Sequence, residues 1–190
     1  RLLGNPDVDV WNHAWGWWWF YDALSHGTLP YHTDLLGWPE GGTLYFIDPL
    51  GALAGLPITW AVGPAAAFNV VLLLRIAAAG MATQLLAEEL AHDAVDPRAA
   101  RWGGWLAGAA AASAPYLLCE LHNAITETCS LHLVALSLWL AARAVRVGSW
   151  RAWLAAGVAL GLTAVGTFYF GLAVGLVVAG LVVGRLVVQP

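Results

Sequence analysis

The longest uncharged stretch of the chain constrains its fold more than any other feature. Residues 152–184 are 33 consecutive residues without a charged side chain. As a single helix this stretch would be about 50 Å long, whereas the hydrocarbon core of a bilayer is about 30 Å thick. We therefore predict two shorter membrane helices, with a hinge near Gly166-Thr167-Phe168-Tyr169.

The composition also indicates a membrane protein. Of the 190 residues, 60% are hydrophobic and 11% are charged, and the mean hydropathy is +0.69. Soluble domains carry roughly 25% charged residues, so this chain has too few charges to cover a water-facing surface. It is also too apolar to be disordered. A net charge of −4, with no lysine, argues against a nucleic-acid partner.

Three further apolar segments, residues 63–90, 102–118 and 127–142, predict additional spans. Together with the two helices of residues 152–184 they give an all-α polytopic bundle of about five spans over residues 63–188. Residues 1–62 then form an outer loop with interfacial helices. Because the chain begins with Arg1 and stops just past an apolar run, we interpret it as a fragment of a longer polytopic protein.

Five spans place most arginines on one side of the membrane. These arginines are Arg98, Arg101, Arg143, Arg146, Arg151 and Arg185. The positive-inside rule makes that side cytoplasmic. The opposite side holds residues 1–63, with six acids and one arginine, and residues 119–126, with one acid and no basic residue. We expect an integral membrane protein whose acidic face is extracytoplasmic.

Two segments of the outer region have helical character. Residues 11–26 include five tryptophans, a phenylalanine and a tyrosine, and rings at this density favour the headgroup layer. Residues 49–62 form an apolar run of 14 residues that contains Pro57. Such runs are more often interfacial or re-entrant than spanning. If this run did span, the N-terminal segment would move to the cytoplasmic side.

Asp7 and Asp9 are the first candidate catalytic residues. Two carboxylates one residue apart can hold Mg²⁺ or Mn²⁺, or one of them can take a proton from an acceptor hydroxyl. His13 follows Asp9 by four residues and would share a helix face with it if the helix begins early. The alternative interpretation is a loop acid followed by a helix-capping acid.

A second polar group lies between residues 119 and 127. Glu120, His122 and Glu127 could close over the first group and bind substrate there. The alternative is helix capping, with Thr126 as N-cap and Glu127 in the first turn.

Arg75 lies within an apolar span, where a charge costs several kcal/mol unless it is paired. Either a lipid phosphate or an acid on another helix would compensate for that cost. The structural alternative is an ion pair with a residue outside these 190 residues.

Other residues have simpler explanations. Asp48-Pro49 has the pattern of a helix N-cap, and Glu40-Gly41-Gly42 that of a turn. The glycines at positions 157, 161, 171, 175, 180 and 184 indicate close helix packing. In an oxidising compartment Cys119 and Cys129 could form a disulfide, although buried free cysteines are common.

Several segments resemble the integral-membrane GT-C glycosyltransferases, and most closely their bacterial relatives. They are GNPDVDVWNHAWGWWWFYDALSHGTLPYHTDLLGWPEG, DPLGALAGLP, the span that opens with Gly63-Pro64, Ser113-Ala114-Pro115-Tyr116 and Thr167-Phe168-Tyr169-Phe170-Gly171. In that superfamily an acidic pair in the first outer loop precedes two surface helices. The family's first span and C-terminal half have no counterpart in these 190 residues.

The resemblance implies a glycosyltransferase of the bacterial plasma membrane that takes its sugar from a polyprenyl-phosphate donor and acts on an outer-face acceptor. It implies that Asp7 or Asp9 acts as base or metal ligand, and that Glu120, His122 and Glu127 occupy a second polar site. The alternatives are a transporter or lipid flippase, and a non-catalytic membrane subunit of the same fold. Transporters usually carry their polar residues near the bilayer midplane, in repeated halves. Here most polar residues lie at the outer ends of the spans.

Overall fold

The computed structural model describes residues 2–43 and 48–188, so Arg1 and the last two residues lie outside the described part. The described residues are predominantly α-helical, which confirms the all-α prediction. The helices are α1 (Val10–Ser25), α2 (Pro49–Val62), α3 (Pro64–Ala91), α4 (Pro97–Ala112), α5 (Pro115–Asn123), α6 (Leu131–Val147), α7 (Trp150–Gly166) and α8 (Phe168–Val188). A 3-10 turn, Thr128–Ser130, precedes α6. Two short antiparallel strands, β1 (His32–Thr33) and β2 (Gly42–Thr43), lie between α1 and α2.

Within the described part of the chain, three helical segments are long and apolar enough to cross a membrane: Pro64–Ala91, Thr128–Val147 and Phe168–Val187. The prediction of five spans is therefore confirmed only in part. Helix α7, with 17 residues, and α2, with 14, are apolar but shorter. The predicted span 102–118 is instead divided between α4 and α5. Pro115 explains this break, because proline has no N–H to continue the helix and its ring clashes with the carbonyl four residues earlier.

Short polar residues begin and end several helices as the sequence predicts. The Asp48 carboxylate accepts the Gly51 N–H at the start of α2, at 2.9 Å. Asp96 caps α4 in the same way, and Ser149 caps α7. The predicted hinge falls at Thr167, whose extended backbone (φ −156°, ψ 103°) separates α7 from α8.

Polar contacts define the two ends of the helix bundle. At one end, Thr167 donates a hydrogen bond to the Glu127 carbonyl at 2.9 Å, which joins the α7–α8 hinge to the chain just before α6. We call this the site end. At the other end, which we call the arginine end, Arg146 of α6 forms a bidentate ion pair with Glu89 of α3. The Arg185 guanidinium lies against Gly148, which brings the end of α8 to the α6–α7 turn.

Helices α3 and α4 pack closely through glycine. A Cβ added at Gly108 would lie 2.6 Å from the Gly80 carbonyl oxygen, so the two backbones approach without side chains between them. The glycines of α7 and α8 behave differently from the prediction. Of the six, only Gly171 packs against a neighbour, the backbone and side chain of Ala164. The other five face open space within the described part of the chain.

The main hydrophobic core lies at the site end and includes α1. Trp17 of α1 packs edge-on against Phe68 of α3, with ring centroids 5.2 Å apart. Val10, Leu72 and Cys129 are buried in the same core. Cys129 and the exposed Cys119 are both free thiols. This core fixes the buried face of α1 against the start of α3, and so it holds the beginning of α1 near residues 120–128.

Candidate functional site

A buried ion pair between Asp48 and Arg75 lies at the centre of the site end. Asp48 is 2% exposed and Arg75 is 5% exposed. Two hydrogen bonds of 2.8 and 2.9 Å connect the guanidinium of Arg75 to both carboxylate oxygens of Asp48. The sequence predicts Asp48 only as a helix cap. In the structure it caps α2 and also pairs with Arg75. The partner of Arg75 is thus a residue of this chain rather than one outside it.

The same guanidinium also reaches the chain ahead of α6. Arg75 Nη1 donates to the carbonyl of Thr126 at 2.7 Å. One arginine therefore connects α2, α3 and the segment before α6. Gly51 makes this arrangement possible, because a Cβ there would collide with the Asp48 carboxylate, the Arg75 guanidinium and Trp17.

Thr126 extends this network to α1. A hydrogen bond of 3.1 Å joins its hydroxyl to Nδ1 of His13, and both residues are buried. The alternative interpretation of Thr126 as an N-cap does not hold, because α6 begins five residues later and the hydroxyl is bonded to another helix. Residues 113 positions apart in sequence meet here.

Glu127 faces the same histidine. Its Oε2 lies 3.5 Å from Nδ1 of His13, and its side chain is 20% exposed. This oxygen is buried and has no hydrogen-bond partner among the described residues. An unbonded carboxylate oxygen in such surroundings is costly to ionise.

Burial accordingly raises the pKa of Glu127 from 4.5 to about 7. The negative charges of Asp48, Asp9 and Glu120 contribute to this rise, while a hydrogen bond with the residue's own backbone acts in the opposite direction. Burial also lowers the pKa of His13, although the charges of Asp48 and Asp9 oppose that effect. At neutral pH this region therefore holds a neutral imidazole beside a carboxyl that is partly protonated.

Glu120 and His122 lie on α5 beside this pair. Glu120 accepts a hydrogen bond of 2.6 Å from the Thr128 hydroxyl, which connects α5 to the 3-10 turn. The side chain of His122 is exposed, and its backbone carbonyl accepts the N–H of Asn5 at 2.7 Å. That bond holds the N-terminal segment, with its two aspartates, against the end of α5.

Asp7 and Asp9 are both exposed, but they differ in their surroundings. Asp9 immediately precedes α1, and its charge acts on the pKa of both His13 and Glu127. It does not cap α1 through its side chain; instead it accepts a hydrogen bond from the Asn12 amide at 3.4 Å. Asp7 lies in the preceding turn, where its N–H donates to the Asn5 side chain. Of the two predicted catalytic acids, Asp9 is the one whose charge raises the pKa of Glu127.

A cleft lined by tryptophans lies next to Asp9. It has a volume of about 680 Å³ between α1 and the start of α3, and its walls include Trp11, Asn12, Trp15 and Trp18. Asn12 connects this cleft to Asp9 through the hydrogen bond described above. The site end therefore combines a group of carboxyls with an adjacent aromatic cleft.

The bonds that hold this site together were not predicted from the sequence. Arg75 and Asp48 could have been matched as opposite charges within apolar runs, but several other acids were equally available. His132 is also absent from the predicted site residues, although its Nδ1 is buried and has no hydrogen-bond partner among the described residues. No group of three or more His, Cys, Asp or Glu in the described part of the chain is arranged to hold a metal ion.

No protein-family model, curated protein sequence or solved structure matches this chain.

Proposed function

We propose that this protein is a membrane glycosyltransferase that moves a sugar from a polyprenyl-phosphate donor to an acceptor hydroxyl at the extracytoplasmic surface, with Glu127 as general base. The observation that carries the proposal is the environment of Glu127. Its pKa of about 7 lies close to the working pH, which is where a general base is most effective. The resemblance to GT-C enzymes supplies the substrate class.

In the proposed reaction the acceptor hydroxyl gives its proton to the Glu127 carboxylate, whose side chain is 20% exposed. The acceptor oxygen then forms a bond to the anomeric carbon of the sugar as the bond from that carbon to the phosphate oxygen breaks. The lipid phosphate leaves with the bonding electrons, the configuration at the anomeric carbon is inverted, and Glu127 later releases its proton to water. Asp9 orients the acceptor. His13 of α1, whose Nδ1 lies 3.5 Å from Oε2 of Glu127, helps to position the carboxyl.

Arg75 and Asp48 act as positioning residues in this scheme. The guanidinium of Arg75 makes three hydrogen bonds, to Asp48 and to the Thr126 carbonyl, and Thr126 in turn bonds to His13. These bonds support an indirect role better than direct contact between Arg75 and the donor phosphate. Glu120 and His122 line the acceptor side of the site.

The aromatic cleft is the proposed seat of the lipid donor. Tryptophan rings offer an apolar surface together with N–H donors, which suits the boundary between lipid chains and headgroups. At about 680 Å³ the cleft accommodates part of a hydrocarbon chain. Asn12 of its wall hydrogen-bonds to Asp9, so a donor held there would place its sugar near Asp9.

A divalent cation belongs to the proposal as a ligand of Asp7 and Asp9. Both are exposed carboxylates, the donor type that Mg²⁺ and Mn²⁺ prefer, and water and donor phosphate would complete the shell. A bound cation would neutralise charge on the leaving phosphate. Every other part of the proposal concerns the chain's own residues.

The test is transfer of labelled sugar from polyprenyl-phosphate by the purified protein in lipid nanodiscs. We expect Glu127→Gln to lower the rate by at least about 100-fold, the scale of general base catalysis, and Asp9→Asn to reduce it more than Asp7→Asn does. Asp93→Asn, an exposed acid at the arginine end, is the matched control. Unchanged transfer by the Glu127 variant would exclude the proposed base. Absence of transfer in the wild type, with lipid or solute movement in vesicles, would instead favour the transporter.

A further inference from the structure

A groove between α6 and α7 starts at the arginine end of the bundle. Its volume is about 390 Å³, and it follows α7 from Arg151 to Leu162, a rise of about 16 Å. The rest of its lining is apolar: Leu136, Leu140, Leu154, Ala155, Val158 and Ala159. Arg151 precedes Thr167, which is bonded to the Glu127 carbonyl, by 16 residues, or about 24 Å of helix. The cationic end of the groove is therefore far from the Glu127 site.

The groove has the width of a hydrocarbon chain. Ala155 and Ala159 contribute small side chains to a lining of larger leucines and valine, which leaves a depression along α7. Its volume and length correspond to a mean cross-section of about 25 Å², whereas an α-helix about 10 Å across needs about 80 Å². A helix of a partner protein is therefore too wide to enter the groove, whereas a single acyl chain is narrow enough.

The charge of Arg151, at the end of this groove, is unbalanced. Its side chain is exposed, and its guanidinium lies 5.6 Å from the centroid of the Trp150 ring. Among the described residues Arg151 forms no ion pair. Residues 131–188 contain four arginines and no aspartate or glutamate. Glu89 of α3 does reach α6, but it pairs there with Arg143 and Arg146.

Arg98 is the matching arginine that does have a negative charge beside it. Arg98 and Arg151 are both exposed, and each is the second residue of its helix, α4 or α7. The Asp96 carboxylate caps α4 and accepts the N–H of Arg98 at 2.8 Å. The neutral hydroxyl of Ser149 caps α7 instead. Arg151 therefore combines two features that Arg98 lacks, an uncompensated charge and an adjoining apolar groove.

We propose that this groove binds one anionic phospholipid from the leaflet at the arginine end, with the lipid phosphate at Arg151 and one acyl chain along α7. An arginine in this position lays its aliphatic stem along apolar surface and keeps its charged head in the headgroup layer. There the guanidinium donates paired hydrogen bonds to phosphate oxygens. A zwitterionic headgroup is a poorer match, because its own cation offsets the phosphate charge. The inference goes beyond the proposed transfer reaction, because it concerns a separate surface and requires no sugar donor.

The test is native mass spectrometry of the purified protein in detergent, with phosphatidylglycerol or phosphatidylcholine of identical acyl chains added in steps. We expect the first phosphatidylglycerol to bind about fivefold more tightly than the first phosphatidylcholine, the scale of one arginine acting on an anionic headgroup. Arg151→Gln should remove this preference, whereas Arg151→Lys, which keeps the charge, should retain it. Arg98→Gln is the matched control and should leave the preference unchanged.

A second pair of variants tests the groove itself. Ala155→Leu fills part of it and should weaken the binding of both lipids. Gly157→Leu adds the same side chain to the same helix, where a Cβ meets nothing within 4 Å, and should not weaken binding. Equal affinity for the two lipids in the wild type, or a preference that survives Arg151→Gln, would overturn the proposal. Unchanged phosphatidylglycerol binding by Ala155→Leu would also overturn it. Because Arg151 is exposed, Arg151→Gln decides the question even if Ala155→Leu disturbs packing.

Discussion

Replacing Glu127 with glutamine should change the pH dependence of stability in a direction that few surface mutations produce. Burial raises the pKa of Glu127 from 4.5 to about 7, so the fold favours the protonated carboxyl. The wild-type protein then has its full stability below about pH 4.5 and loses stability as the pH rises through 7. Glutamine resembles the protonated carboxyl in shape and cannot ionise.

The size of the effect follows from the pKa. One pKa unit corresponds to about 1.4 kcal/mol, so a change from 4.5 to about 7 costs about 3 kcal/mol once Glu127 is fully ionised. We expect Glu127→Gln to lie within about 1 kcal/mol of the wild type at pH 5 and to exceed its free energy of unfolding by about 3 kcal/mol at pH 8.5. For a chain of this size that is a rise in Tm of about 6–12 °C.

The measurement is thermal unfolding of both proteins in the same nanodiscs at pH 5, 6, 7 and 8.5, followed by intrinsic tryptophan fluorescence. Glu40→Gln, at an exposed turn, is the matched control and should show no pH-dependent difference from the wild type. If the Glu127→Gln variant were no more stable than the wild type at pH 8.5, burial would not raise the pKa of Glu127, and Glu127 would lose its support as general base.

Four other outcomes follow from the same structure. The rate of sugar transfer should rise with pH and level off above about pH 7, as a buried carboxyl loses its proton; a flat profile from pH 5 to 9 would contradict this. Arg75→Leu should destabilise the protein by about 3–5 kcal/mol in chemical unfolding, and adding Asp48→Leu should recover much of that loss. Gly108→Ala should lower Tm because its Cβ meets the Gly80 carbonyl, whereas Gly157→Ala, which faces open space, should not. In a background without native cysteines, Val95→Cys should react with an impermeant maleimide only from the cytoplasmic side.

Local sequence signals predicted the helices well, because they act over a few residues. The apolar run 49–62 corresponds to α2 (Pro49–Val62). The first predicted span, residues 63–90, differs from α3 (Pro64–Ala91) by one residue at each end. Asp96 and Ser149 cap the helices that the sequence assigned to them. Caps, prolines and uncharged stretches depend on the backbone nearby, so they can be read without knowledge of the fold.

The structure differs from the prediction where a local sequence pattern is compatible with two different structures. Pro115 can open a new helix or kink an existing one, and the predicted span 102–118 ran through it. Thr126 has the pattern of a cap, yet its hydroxyl bonds to His13 of another helix. The spaced glycines of α7 and α8 suggested packing, and five of the six face open space within the described residues. In each case the outcome depends on a partner distant in sequence.

The candidate site shows why its chemistry was harder to predict than its location. The sequence placed Asp9, His13, Glu120 and Glu127 on one face of the membrane, since arginine distribution indicates which ends of the helices lie together. It ranked Asp7 and Asp9 first because paired carboxylates are a recognisable pattern. The pKa of Glu127, however, is raised by burial, and burial depends on contacts between residues that are distant in sequence.

That burial is created by contacts among α1, α2, α3 and the start of α6. The bonds of Arg75 to Asp48 and Thr126 hold three of these segments, and Thr126 holds the fourth through His13. None of these residues needs to touch a substrate for Glu127 to keep a pKa of about 7. If this network sets the reactivity of Glu127, then weakening it by Asp48→Asn should lower the pH at which sugar transfer reaches half of its maximum. A substitution that disturbed acceptor binding alone would change KM and leave that pH in place.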